Sequence, residues 1–273
     1  IQEQLKNDIL KRKEQLLKEN RIRRTTGSES SPRHLSSNSE DARIYDLCEE
    51  HRRSETIYIP ASGRKIQQGA CLGHSQKGCI NYAGIDLSSG QLVYITEWTM
   101  RVVDVDGTVS AIEKKVSDLT KLRHKNIVGY EGVVCLRKKD NLHVLLIQEF
   151  LQGISVTSGS IFSCLEGASM VAKGVLDALI FLHNNGVSHG NLLIESVFMD
   201  SQGNIKVTDF SFVPYLQELI NGQQSTADLP ALGTLIESIM PTPHVEMRDF
   251  INRCRSDRTL SGSDLIDHPF LYS

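Results

Sequence analysis

The sequence predicts an α+β fold, a β-rich N-terminal part followed by a mostly helical C-terminal part, and three observations predict it. Strand-like apolar runs gather between Ile57 and Gln148, and helical apolar spacing takes over from Ile161 to His183. A hairpin pattern follows, with strands at Ser196 to Met199 and Ile205 to Thr208 joined by the turn formers Asp200-Ser201-Gln202-Gly203. With 273 residues and 40% hydrophobic content the chain can bury one large domain or two lobes. The net charge of -3 gives no general pull toward nucleic acid or an anionic membrane.

Residues 1 to 24 carry eight Lys/Arg against four Asp/Glu, with Ile1, Leu5, Ile9, Leu16 and Leu17 at helical spacing. This reads as a charged helix, either a short coiled coil or an RNA- or ribosome-contacting segment on one side, or a solvated linker helix on the other. Residues 25 to 41 are Ser-rich and almost without apolar content, so they read as a flexible linker, and the folded domain is expected over 42–273. The start at Ile1 rather than Met suggests a piece of a longer polypeptide. Six dispersed cysteines, at 48, 71, 79, 135, 164 and 254, form no C-x-x-C pair, which suits buried thiols in a reducing compartment. No run reaches the length of a membrane span and no signal-peptide core is present, so the expectation is a cytoplasmic protein without a membrane partner.

Within the domain, Gly73-His74-Ser75-Gln76-Lys77-Gly78 lies between strand patterns, and Ser89 to Thr96 reads as a turn and a strand. A helix is expected over Ala111 to Leu122, then Leu122-Arg123-His124-Lys125-Asn126-Ile127-Val128, then strands at Gly129 to Cys135 and His143 to Gln148. Two helices are read from Ile161 to His183, with a turn at Asn184-Asn185-Gly186. The centre of the sequence is His189-Gly190-Asn191-Leu192, followed by Asp209-Phe210-Ser211. These segments resemble, in order, the parts of a protein kinase, whose catalytic and metal-binding loops carry H-R-D-L-x-x-x-N and D-F-G. The resemblance covers about Ile57 to Ser273 and implies a bilobal kinase-like fold, with an N-lobe near 57–152 and a C-lobe near 153–273. Ala227 to Glu237, Phe250 to Cys254 and Asp264 to Leu271 are similar to its lower-lobe helices. Leu119, Tyr130, His189 and Phe210 fall on the four positions that stack through a kinase core.

The same resemblance marks what the nucleotide site has lost. The glycine-rich loop keeps Gly73 and Gly78 but has Ser75 at its middle glycine. Thr96 stands where a kinase Lys holds the phosphates, and Lys115 stands where the helix Glu would pair with it, Glu113 being two residues off that face. Asn191 replaces the catalytic Asp, Leu193 the loop Lys, Ser196 the second metal-ligand Asn, and Gly190 the loop Arg. Asp209 survives, and Gln148 takes the position guarding the back of the pocket. Only 18 residues separate Asp209 from Asp228 and no A-P-E is present, so the activation segment is shortened.

Because phosphoryl transfer is catalysed by positioning and charge neutralisation, these losses together imply a pseudokinase: no catalytic residue, no cofactor and no metal. The arrangement of helix, linker and degenerate domain resembles the pseudokinase region of the general-control family of amino-acid-starvation sensors, kinases of the α subunit of translation initiation factor two. That resemblance implies regulation of an adjacent kinase domain of the same polypeptide, and a homodimer within the full-length protein. Two alternatives stay open: a nucleotide-gated switch in which Asp209 and Lys77 hold ATP, and a kinase with displaced catalytic groups.

Overall fold

The computed structural model describes residues 55–75, 78–158, 162–256 and 260–273. All of them belong to one compact unit, Cys48–Ser273. The expected helix at 1–24 and linker at 25–41, together with Lys77, lie outside the described residues.

The N-lobe is a six-stranded antiparallel sheet built from β1 (Thr56–Ile59), β2 (Arg64–His74), β3 (Ile80–Asp86), β4 (Leu92–Met100), β5 (Tyr130–Lys138) and β6 (Asn141–Glu149), in the order β1-β2-β3-β4-β6-β5. Alternation along β4 gives the sheet two faces. Val93 and Ile95 pack with Ile57, Ile66, Tyr82 and Ile147, while Trp98 and Met100 join the larger core shared with α1 (Val105–Leu119). Arg64 ties β2 to the start of β5, with Nε 2.7 Å from Asp86 and Nη1 2.7 Å from Glu131.

Helix α1 starts six residues before the expected Ala111, because the Asp104 carboxylate accepts the Gly107 N–H at 3.0 Å and caps the helix there. It ends before Leu122, whose N–H already closes a turn on Leu119. The next segment crosses to the C-lobe. Val128 N–H donates to the Val207 carbonyl, Val207 N–H donates to the Asn126 carbonyl, and the Asn126 amide reaches the Ile205 carbonyl at 2.7 Å.

In the C-lobe, β7 (Gly153–Ser155), β8 (Val197–Asp200) and β9 (Ile205–Val207) form a small antiparallel sheet. The two helices expected over Ile161 to His183 are one helix, α2 (Leu165–Asn184), which Cys164 caps by accepting the Gly167 N–H on Sγ. The expected turn follows it, with Gly186 at φ +70°. Helix α2 lies so close to β9 that a side chain at Gly174 would run into Ile205. Helices α3 (Phe212–Asn221), α4 (Asp228–Ile239) and α5 (Val245–Ser256) and two terminal 3₁₀ turns, Gly262–Leu265 and Pro269–Tyr272, complete the lobe. Helix α5 extends well beyond the expected Phe250 to Cys254, whereas Asp264 to Leu271 holds only the 3₁₀ turns. One apolar core runs from Trp98 and α1 through Tyr130 and Phe210 to α2, α4 and α5, and it fixes the lobes around a cleft. No helix among the described residues is long and apolar enough to cross a membrane.

Candidate functional site: an interlobe cleft and its loop

The loop after α2 is held by a carboxylate. Asp228 opens α4; its Oδ1 accepts the Gly190 N–H at 2.8 Å, and its Oδ2 accepts the His189 N–H at 2.8 Å and His183 Nε2 at 2.7 Å. Burial alone would raise its pKa, but these three donors together hold it below the usual carboxylate range. From the other side, Thr226 N–H and the hydroxyls of Ser225 and Thr226 all donate to the Gly190 carbonyl. Gly190 has φ +83°, and a Cβ there would lie 2.5 Å from Ser225 Oγ and 3.2 Å from Pro214. Glycine therefore fits the kinase Arg position for a conformational reason as well as a steric one.

His189 Nε2 donates to the Thr208 carbonyl at 3.0 Å, so Nδ1 is left to accept the Asn191 N–H at 3.3 Å. The Asn191 side chain is buried and donates to Gln217 Oε1 at 3.1 Å. Gln217 lies on α3, an element that the sequence reading left out of the short segment after Asp209. Phe212-Val213-Pro214-Tyr215-Leu216 followed by Gly222 was its signal, an apolar stripe ending in a residue at φ +71° suited to a C-cap. Helix α3 thus lies on the catalytic-loop position, and Lys115 of α1 stands over its Tyr215 ring at 6.0 Å.

The four expected core positions are buried: Leu119, Tyr130, His189 and Phe210. Tyr130 and Phe210 rings lie 4.6 Å apart, and the Tyr130 hydroxyl donates to the Phe210 carbonyl at 2.7 Å. Burial, with a smaller contribution from the Asp209 charge, pushes the Tyr94 and Tyr130 hydroxyls up. Asp209 itself takes φ +65° and Ser211 φ +59°, both in the left-handed region.

Between the lobes lies a cleft of about 300 Å³. The structure brings Ser75, Thr96, Gln148 and Asp209 together on it, but not Asn191, Leu193, Ser196 or Lys115. Leu193 is exposed and Ser196 is fully buried, with its carbonyl accepting the Thr208 N–H. Glu113 lines a separate groove beside Pro60 and Gly132. Trp98 also lines the cleft, which its position two residues past Thr96 on an alternating strand could have indicated.

Mg·ATP, which a kinase cleft implies, does not fit these residues. Among the described lining residues Asp209 and Glu195 could ligate the magnesium, but there is no Lys or Arg to meet the phosphates. In the glycine-loop turn, Gly73 and Gly78 have positive φ, but Ser75 N–H donates to the Cys79 carbonyl and Gly78 N–H to the Ser75 carbonyl. Those two backbone donors are spent on the hairpin itself.

The protein kinase domain family matches residues 67–228, more than half of the chain. The chain belongs to the protein kinase family. It is 32% identical over 179 residues to mitogen-activated protein kinase kinase kinase 3 of Arabidopsis thaliana, covering 60% of this chain and 26% of that protein. It is 26% identical over 173 residues to the eIF-2-alpha kinase GCN2 of Mus musculus, covering 56% and 10%. For the Rattus norvegicus GCN2 the figures are 25% over 219 residues, 71% and 13%. The chain therefore spans between about a tenth and a quarter of the length of these relatives. Kinase-domain membership and relatives among the eIF-2-alpha kinases agree with the resemblance read from the motifs.

Proposed function

We propose that this kinase-family domain does not transfer phosphate, and that it regulates an adjacent active kinase domain of the same polypeptide in amino-acid-starvation control of translation, acting in the cytoplasm through protein contacts. The observation that carries this reading is the pairing of Asn191 with Gln217: the catalytic-base position holds an amide with no basicity at neutral pH, and α3 covers it. Thr96, Leu193 and Ser196 at the charge-bearing positions remove the remaining transition-state stabilisation. What the fold retains is shape, and a shape can act on a partner by binding one of its states better than another. A homodimer, and RNA contact by the basic residues 1–24, belong to the same proposal.

The experiment is a phosphate-transfer assay with radiolabelled ATP, magnesium and manganese, run on the 273-residue chain, alone and with Asn191→Asp. Neither protein should label itself or a generic substrate, because one restored carboxylate leaves Thr96 and Leu193 in place. Turnover by the unmodified chain would overturn the reading. Regulation is tested by adding the domain to the neighbouring kinase domain and measuring its rate, which should change at saturating domain concentration.

A further inference from the structure

We draw no further inference here: the strongest candidate, the groove between the end of β1, the outer side of α1 and the start of β5, lined by Ile59, Pro60, Val116 and Val133 among others, carries nothing because nothing in the structure shows what covers it.

Discussion

Gly190→Ala should destabilise the domain even though it adds a single methyl group. Gly190 holds φ +83°, and a side chain in the left-handed region costs about 1–2 kcal/mol. The new Cβ would also lie 2.5 Å from Ser225 Oγ, so Ser225 must rotate and give up its 3.2 Å bond to the Gly190 carbonyl, a loss of about 0.5–1.5 kcal/mol. The sum, about 1.5–3.5 kcal/mol, corresponds to a fall of about 3–14 °C in melting temperature for a chain of this size. Gly203→Ala is the control: φ there is +86°, with nothing within 4 Å of the added atom, so it carries the conformational cost alone. The Gly190 variant should therefore melt several degrees below the Gly203 variant, and adding Ser225→Ala should narrow the gap. Equal melting temperatures for the two glycine variants would refute the claim that residues 225–228 clamp the loop onto α3 and leave no room for a side chain.

Three further outcomes follow from the geometry. Gly174→Ala gains helix propensity of about 1 kcal/mol but drives a Cβ into Ile205 across the α2–β9 contact, where overpacking costs about 1–3 kcal/mol, so a net loss in a chemical melt is expected. Tyr130→Phe keeps the ring stack and leaves the buried Phe210 carbonyl without its 2.7 Å donor; stability should drop by about 1–2 kcal/mol in a denaturant titration. Asp228 has a folded-state pKa below its ordinary value of 3.8, so its contribution is complete above that value and is lost as pH falls below it. A plot of melting temperature against pH should bend downward below about pH 4, and Asp228→Asn should flatten that bend while lowering the melt at neutral pH.

The kinase frame was legible because its signals are local and ordered: alternation in the strands, Gly186 after a 20-residue helix, and the Asp200 to Gly203 hairpin turn each act within a few residues. Two element boundaries were misplaced where a polar cap decided them. Asp104 started α1 early, and Cys164 set the start of α2 at Leu165, which hydrophobic spacing does not register. The substitutions at Thr96, Lys115, Asn191, Leu193 and Ser196 could likewise be read from position alone.

What became of those substituted positions was a matter of docking between segments far apart in the chain. Gln217 meets Asn191 across 26 residues, and residues 225–228 close on Gly190 because α3 returns the chain over the loop. That Trp98 Nε1 and Gln148 Nε2 are buried with no hydrogen-bond partner among the described residues has no sequence signature, since it depends on every segment that packs around them. Sequence by itself determined the order of strands and helices and which charges were missing, because backbone propensity and side-chain identity are properties of neighbouring residues. Only tertiary structure decided that a cleft lies between the lobes while the catalytic loop is covered by α3, because burial and hydrogen-bond satisfaction are set by the whole packed chain.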